Sequence, residues 1–233
     1  MAVRPIFIPE KDGDYFVRTE LVEFEWSPGL SSSQKQKNIT KIHAEAKSSF
    51  GIERPLEIST KSLQKLGVEL SAFNLSFTTK KYNKRYVVES AFQSSKVFLN
   101  GGPYTDLIDA DPRAAKRDGR LKESGPLVEF RFFGRRWRLE PKTLFYDWLY
   151  INSLYQNMEF ASEVLGYDAF TDIEFNPDKS INCQAYSAAL FVSLCQRNLI
   201  EDAISSADSY DMIVTSKKSL GVFEVRAGQS KLL

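Results

Sequence analysis

Residues 85–103 read RYVVESAFQSSKVFLNGGP, and they contain the mixture of strand and helix that the rest of the chain also predicts. The β-branched and aromatic residues of Arg85–Val88 favour a strand. Residues 89–98 predict a helix, which the Asn-Gly-Gly-Pro run at 100–103 stops. Short strands mixed with helices in this order predict an α+β fold.

The segments on either side continue this mixture and predict a predominantly helical domain with short strands. We predict extended segments within 3–26, helices over 34–48 and from Thr60 to Gly67, a strand over Val68–Phe77, a helix from Asp111-Pro112 to about Gly119, a hairpin over Leu127–Leu139, a long helix after Pro141, a short helix ending at Gly166, a helix over Ala185–Leu199, and strands around Met212–Val214 and Val222–Val225. Residues 1–67 are predicted to form an N-terminal extension packed on a core of residues 68–233. No linker separates the two parts, so we expect one compact unit.

The composition of the 233 residues excludes several classes of site. A single histidine, His43, excludes zinc sites that need two and leaves a Ser-His-Asp relay only one candidate. The two cysteines, Cys183 and Cys195, lie in an apolar run and form no CxxC motif. The N-terminus has no apolar core of a signal peptide, and no segment approaches membrane-spanning length. We therefore expect a cytoplasmic protein with no metal, cofactor or membrane partner.

The net charge of +1 hides two opposite blocks. Residues 113–138 hold nine basic and three acidic residues, a net charge of +6, whereas residues 139–178 carry −7. Arg131, Arg135 and Arg136 are interleaved with aromatic residues and are candidate DNA contacts. A hairpin with a charged, solvated outer face is an equally good interpretation of the same pattern.

The densest chemistry lies on the predicted helix over 89–98. Glu89, Gln93 and Lys96 have spacings of four and three residues, so a carboxyl, an amide and an amine project from one helix face. Glu89 and Lys96 can both reach a ligand lying along that face. An isolated pattern of this kind is more often a solvated face.

Three further segments surround this motif in a fixed order. They are LSAFN at 70–74, PRAAKRDGR at 112–120, and a helix that leads to Gln156-Asn157. Over about residues 68–200 the chain thereby resembles the NADAR family, which carries L/F-S-N-F, T/V-E-H-x-F-Q-x-x-K-F, P-x-x-A-K-x-x-G-R and a Q-N pair. Two departures are Ser90, where the family usually has histidine, and the sequence Ser-Ala-Phe-Asn in place of S-N-F. The long N-terminal region, the aromatic–basic hairpin and the Ile173–Pro177 stretch resemble the branch paired with DarT-type toxins.

The resemblance implies a NADAR-like (YbiA-like) domain that hydrolyses an N-glycosidic bond. Its implied substrate is DNA carrying ADP-ribose on guanine, its product is ADP-ribose, and its role is antitoxin to a cognate DarT-type toxin. Lys96 is implied as the amine that forms a Schiff base with the anomeric carbon, and Glu89 as general acid and then base. The implied substrate-binding residues are Ser71, Phe73, Asn74, Gln93, Arg113, Lys116, Arg120 and Trp148.

Two other functions remain open at this point. Another NADAR branch hydrolyses a pyrimidine intermediate of riboflavin synthesis, although Ser90 and the +6 block argue against that branch. The protein is alternatively a non-catalytic antitoxin that binds ADP-ribose or the toxin. The presence of both Glu89 and Lys96 favours catalysis over binding alone.

Overall fold

The computed structural model describes residues 1–177 and 180–217, which form nine strands, ten α-helices and one 3₁₀ turn. The strands are β1 (Ala2–Pro9), β2 (Val17–Phe24), β3 (Pro55–Glu57), β4 (Ser76–Thr78), β5 (Arg85–Val87), β6 (Lys96–Phe98), β7 (Leu127–Phe132), β8 (Arg135–Trp137) and β9 (Ala169–Thr171). The helices are α1 (Ser32–Phe50), α2 (Lys65–Glu69), α3 (Val88–Ser94), α4 (Pro112–Arg117), α5 (Arg120–Glu123), α6 (Leu144–Gln156), α7 (Met158–Val164), α8 (Gln184–Gln196), α9 (Ile200–Ser205) and α10 (Ala207–Thr215), and the 3₁₀ turn is Thr105–Asp109. The mixed α+β composition is thus confirmed.

The strands form three small sheets, and the largest positions the site. Its order is β2-β1-β9-β3, and β3 runs parallel to β9 whereas the other pairs are antiparallel. Glu57 is paired with Thr171, so the carboxyl ends of β3 and β9 lie side by side. Loops that leave the carboxyl ends of parallel strands are a common place for ligand binding.

The core consists of a large and a small cluster of buried side chains. The large one is centred on α6 and α8, where Phe145, Tyr150 and Phe191 are almost completely buried. The small one packs the predicted apolar stripe of α1, Ile39, Ile42 and Ala46, against β1 and β2. Burial of each large side chain contributes about 1.5–3 kcal/mol, so these two clusters hold the surrounding helices and strands together.

The predicted helix over 89–98 is wrong at its C-terminal end. Helix α3 ends at Ser94, and Lys96 begins strand β6. The hydroxyls of Ser94 and Ser95 donate to the carbonyl of Ala91 at 2.9 and 2.7 Å, which competes with the helical ladder. The carbonyl of Ser95 accepts from the amide of Arg131 at 2.7 Å, so strand pairing with β7 replaces helical hydrogen bonding from this residue onward.

The interpretation of Gly67 as a helix stop is also wrong. Helix α2 runs through Gly67, and a strand over Val68–Phe77 is replaced by the end of α2, a turn and the short strand β4. A Cβ at Gly67 would lie 2.0 Å from the carbonyl oxygen of Glu57. The glycine therefore permits close packing of α2 on the end of β3.

The strand predicted around Met212–Val214 is wrong. Met212–Val214 lies in α10 and not in a strand, because Ser206 caps that helix by accepting from the amide of Ser209 at 3.0 Å. Val222–Val225 lies outside the described residues. The helix predicted to end near Gly119 is confirmed: α4 ends at Arg117, and its predicted cap, Asp111, accepts from the amides of Arg113 and Ala114.

Candidate active site

Helix α3 and strand β6 bring three candidate functional side chains together. Glu89 lies in the first turn of α3, Gln93 lies one turn later, and Lys96 is the first residue of β6. Lys96 is paired with Phe130 of β7, which fixes its backbone. The amine thus reaches the site from a strand, although the sequence predicted it on the helix.

These side chains open into a cavity of about 250 Å³, here called the inner chamber. Its walls come from α3, α6, the segment after β9 and the start of α8. The residues that line it are Phe73, Glu89, Phe92, Gln93, Lys96, Lys116, Tyr146, Asp172, Glu174, Phe175, Ser180, Asn182 and Gln184.

A second cavity of about 580 Å³, the outer chamber, adjoins the first and is richer in basic side chains. It is lined by Ser59, Thr60, Lys61, Ser71, Phe73, Arg113, Lys116, Arg117, Glu174 and Gln184. Phe73, Lys116, Glu174 and Gln184 line both chambers, which therefore lie side by side. Ligand pockets typically measure about 300–1,000 Å³, so the combined cleft fits an elongated ligand with an anionic end in the outer chamber.

The pKa of the Lys96 amine is lower than that of an ordinary lysine. The pKa of Lys96 is lowered to about 8, chiefly by burial; the charge of Glu89 opposes this shift and the charge of Lys116 adds to it. The ammonium nitrogen lies 4.8 Å from the centre of the Phe92 ring, within the apolar surroundings that remove it from water. A substantial neutral fraction at slightly alkaline pH makes this lysine a competent nucleophile.

The carboxyl group of Glu89 is held in place from two sides. Gln93 donates from Nε2 to Oε1 of Glu89 at 2.8 Å, and Nζ of Lys116 lies 3.5 Å from the same oxygen. Within the described residues no hydrogen bond engages Oε2 of Glu89, whose side chain is only 6% exposed. That oxygen is available for a proton transfer to or from a ligand.

Two buried acceptors in the inner chamber lack donors. Oε1 of Gln93 and Oδ1 of Asn182 are inaccessible to solvent and have no hydrogen-bond partner within the described part of the chain. A buried polar atom without a partner costs about 1–3 kcal/mol. Both residues line the inner chamber, so hydroxyl groups of a bound sugar could become their partners once these side chains turn toward the cavity.

Asp172 and Gln184 belong to the site and were not predicted. Gln184 donates from Nε2 to the carbonyl of Ile58 at 2.7 Å and to Oδ2 of Asp172 at 3.0 Å, and its Oε1 accepts from the amide of Ala72 at 2.8 Å. It therefore joins three segments that line the chambers. Burial, together with the charge of the neighbouring Glu57, raises the pKa of Asp172 to about 8.

No local pattern marks these two residues. Asp172 directly precedes the Ile173–Pro177 stretch, and Gln184 begins an apolar helix. Their importance depends on β9 lying parallel to β3, which sequence spacing does not reveal.

Most of the predicted binding residues do meet in the cleft. Besides Glu89 and Lys96, the chambers are lined by Ser71, Phe73, Gln93, Arg113 and Lys116. Nζ of Lys116 lies 4.9 Å from the centre of the Phe73 ring, so the aromatic face and the cation form one surface.

Three predicted binding residues lie outside both chambers. Asn74 is exposed and donates from Nδ2 to the carbonyl of Val68 at 2.8 Å, which closes the turn after α2. Arg120 is ion-paired with Asp106 and Asp118 at 2.7 and 2.9 Å, because the chain turns between α4 and α5 and carries it away from Lys116. Trp148 packs in the aromatic core, 4.8 Å from Trp137 between ring centres.

The arginines predicted to contact DNA are engaged by acidic residues. Arg131 and Arg136 each pair with Glu129 at 2.8 Å. Arg135 pairs with Asp208 at 2.5 Å. Their contact with DNA stays a prediction, and it would require exchange of these carboxylates for phosphates.

The single histidine has a structural position in the described part of the chain. Nε2 of His43 lies 2.9 Å from the hydroxyl of Thr171, and burial lowers the pKa of His43 to about 4, so it is a neutral structural residue. Residues 1–177 and 180–217 contain no group of three or more His, Cys, Asp or Glu side chains placed to hold a metal. No helix in those ranges has both the length and the hydrophobicity needed to span a bilayer.

Comparison with protein families agrees with the motifs found around the inner chamber. Residues 2–221 match the family described as DarT1-associated NADAR antitoxin. The chain belongs to this family. Comparison with curated proteins gave no significant match. The family match extends over the N-terminal strands as well as the NADAR motifs, in line with the pairing of β1 with β9.

Proposed function

We propose that this NADAR antitoxin is a glycohydrolase that removes ADP-ribose from guanine bases in DNA and so reverses the damage made by a cognate DarT-type toxin. The observation that carries the proposal is the inner chamber, where the amine of Lys96 and the carboxyl of Glu89 line one small cavity. The adjoining outer chamber is basic, as an ADP-ribose pyrophosphate requires.

The first step breaks the bond between the ribose and the base. The neutral amine of Lys96 attacks the anomeric carbon and the glycosidic bond breaks, its electron pair leaving with the guanine nitrogen. Glu89, a carboxylate at the start, takes a proton from the nitrogen of Lys96 as the new C–N bond forms and gives it to the guanine nitrogen. As the ribose ring opens, the other proton on the Lys96 nitrogen moves to the ring oxygen, which leaves a Schiff base. The low pKa of Lys96 supports this role, because an ammonium has no electron pair to donate.

The second step releases the sugar. Glu89, again a carboxylate, takes a proton from water, whose oxygen attacks the Schiff-base carbon. Breakdown of the resulting carbinolamine returns the amine to Lys96 and closes the ribose ring. The net reaction consumes one water and yields ADP-ribose and unmodified guanine.

The rest of the cleft provides binding. Gln93 and Asn182, with their unpaired acceptors, are suited to the ribose hydroxyls. Arg113 and Lys116 are suited to the pyrophosphate, and the Phe73 ring beside Lys116 offers a stacking surface.

The test uses a single-stranded oligonucleotide with ADP-ribose on guanine. Wild-type protein is expected to release ADP-ribose, and Lys96→Met is expected to reduce release by at least about 10³-fold. Lys122→Met, a substitution of an exposed lysine outside the chambers, is the matched control. Borohydride is expected to trap a covalent adduct with wild type and with Lys122→Met, and none with Lys96→Met.

Three results would contradict the proposal. Undiminished release by Lys96→Met would remove this residue from the mechanism. Hydrolysis of a riboflavin-pathway pyrimidine intermediate, with no release from DNA, would assign the site to the small-molecule branch. Tight binding of ADP-ribose without any release from modified DNA would make the protein a non-catalytic antitoxin.

A further inference from the structure

A third cavity of about 520 Å³ lies between two hairpin turns and shares no residue with either chamber. One wall is the turn between β4 and β5, with Lys80, Lys81 and Tyr82, and the other is the β7–β8 turn with Phe132 and Phe133. We call this cavity the hairpin groove. Nothing in the proposed reaction uses it.

Two aromatic rings at the groove are open to solvent. Phe133 is 59% exposed and Tyr82 is 65% exposed. Phe133 rests on Phe132, with 4.4 Å between ring centres, and lies 6.2 Å from Tyr86. A ring supported by neighbours and exposed in this way is a surface on which a planar group can stack.

The backbone at Phe133 indicates that this ring has a purpose beyond folding. Phe133 and Gly134 have φ values of +43° and +83°, as in a two-residue turn of the type that favours Asn-Gly. A bulky aromatic residue at positive φ is a conformational outlier. Asparagine would fit the turn with less strain, so the turn itself does not require phenylalanine.

The lysines of the groove form no ion pair in the described part of the chain, whereas the arginines of the β7–β8 hairpin are paired with carboxylates. Among the described residues neither Lys80 nor Lys81 forms a salt bridge, and no acidic side chain lines the groove. Nζ of Lys81 lies 5.0 Å from the centre of the Tyr82 ring. Exposed rings beside unpaired lysines are complementary to bases and phosphates of an unpaired strand.

We propose that the hairpin groove binds single-stranded nucleic acid, with bases stacked on Phe133 and Tyr82 and phosphates held by Lys80 and Lys81. The site would hold the strand on one side of the modified base. It gains biological meaning from the proposed action on DNA, but the binding itself is a separate property.

The test measures fluorescence anisotropy of an unmodified, labelled oligothymidylate of about 12 nucleotides, a length within the range of known strand-binding sites. The double variant Phe133→Asn/Tyr82→Ala is expected to weaken binding at least about tenfold. Lys80→Gln/Lys81→Gln is expected to lower the slope of log Kd against log salt. Matched controls are Met212→Ala, another exposed apolar side chain, and Lys11→Gln/Lys37→Gln, which alter exposed lysines outside the groove.

Phe133→Asn also separates binding from folding. We expect it to keep the wild-type Tm, since asparagine suits the turn, and still to weaken binding. Wild-type affinity of the double variant for the strand would overturn the proposal. The proposal would also be overturned if the double variant lost binding to the toxin and still bound the strand like wild type. Strand binding that depends on the groove, in a protein that releases no ADP-ribose, would support this inference and reject the proposed reaction.

Discussion

The inner chamber and the β7–β8 hairpin both combine cations with aromatic rings, yet their electrostatics differ. In the chamber, Lys96 is removed from water beside Phe92, and its pKa falls to about 8. On the hairpin, Arg131 and Arg136 are exposed, and both form ion pairs with the single carboxylate of Glu129. Proximity of charge and ring therefore does not identify a functional cation; its burial and its partners do.

The largest effect is expected from Glu89→Gln. The amide keeps an oxygen that can accept from Gln93 but has no proton to give, so kcat/KM should fall about 10²–10⁴-fold. The charge of Glu89 raises the pKa of Lys96, so its removal makes more neutral amine. If Glu89 acted only by its charge, the variant would therefore be faster at pH 7 than wild type. Release of ADP-ribose from modified oligonucleotide decides between these outcomes.

Glu174→Gln is the matched control, because Glu174 lines the inner chamber as Glu89 does and carries the same carboxyl group. We expect it to leave kcat/KM nearly unchanged. An equal loss in both variants would mean that the chamber requires negative charge in general and no particular acid.

The second effect is on stability. Gln184→Leu removes the partners of the Ala72 amide and the Ile58 carbonyl, so we expect the free energy of unfolding to fall by about 2–4 kcal/mol. Urea denaturation measures this loss. Gln196→Leu, at the exposed end of the same helix, is expected to have almost no effect. Equal stability of the two variants would show that Gln184 does not tie the chamber walls together.

Gln184 also illustrates what could be predicted from the sequence. The motif order led to Glu89, Gln93, Lys96 and Lys116, because each is carried by a recognisable local pattern, and all four line the inner chamber. Gln184 has no such pattern, since its role depends on long-range contacts with residues more than 100 positions away.

Errors in the predicted fold have the same physical origin. The chain leaves α3 at Ser94 because two serine hydroxyls bond to the Ala91 carbonyl and β7 supplies a new partner. Gly67 suggested a helix end, but it allows close contact with Glu57 of β3. Helical periodicity predicted the long helix after Pro141 well, because its pattern continues over three turns and needs no distant residue.

A third, smaller effect tests the tuning of Lys96. Because the neutral amine is the nucleophile, kcat/KM should rise with pH up to the pKa of Lys96, about 8. Lys116→Met removes a positive charge that lowers this pKa, so the rising limb should move to higher pH. At pH 7 we expect a loss of about fivefold, recovered in part above pH 9.

Arg113→Met is the control for lost ligand binding. Arg113 lines the outer chamber, but its charge is not among those that shift the pKa of Lys96. We expect a higher KM with the rising limb in place. If the rising limb of the pH profile moved equally in both variants, Lys116 would have no specific effect on the pKa of Lys96.

The smallest effect is expected from Arg131→Gln/Arg136→Gln. Both side chains are exposed and share Glu129, and exposed ion pairs contribute only about 0–1 kcal/mol, so stability should hardly change. Binding of the unmodified strand should weaken less than about twofold, because arginines already paired with a carboxylate add little field for phosphates. Fluorescence anisotropy, measured in parallel with the hairpin-groove variants, gives the change in affinity for the strand.

A tenfold loss of binding confined to DNA substrates would show that these arginines exchange Glu129 for phosphates. The basic block at 113–138 would then be a DNA-binding element. Glu129→Gln sharpens the same comparison: it frees both arginines, so it should strengthen strand binding only if they face the path of the DNA.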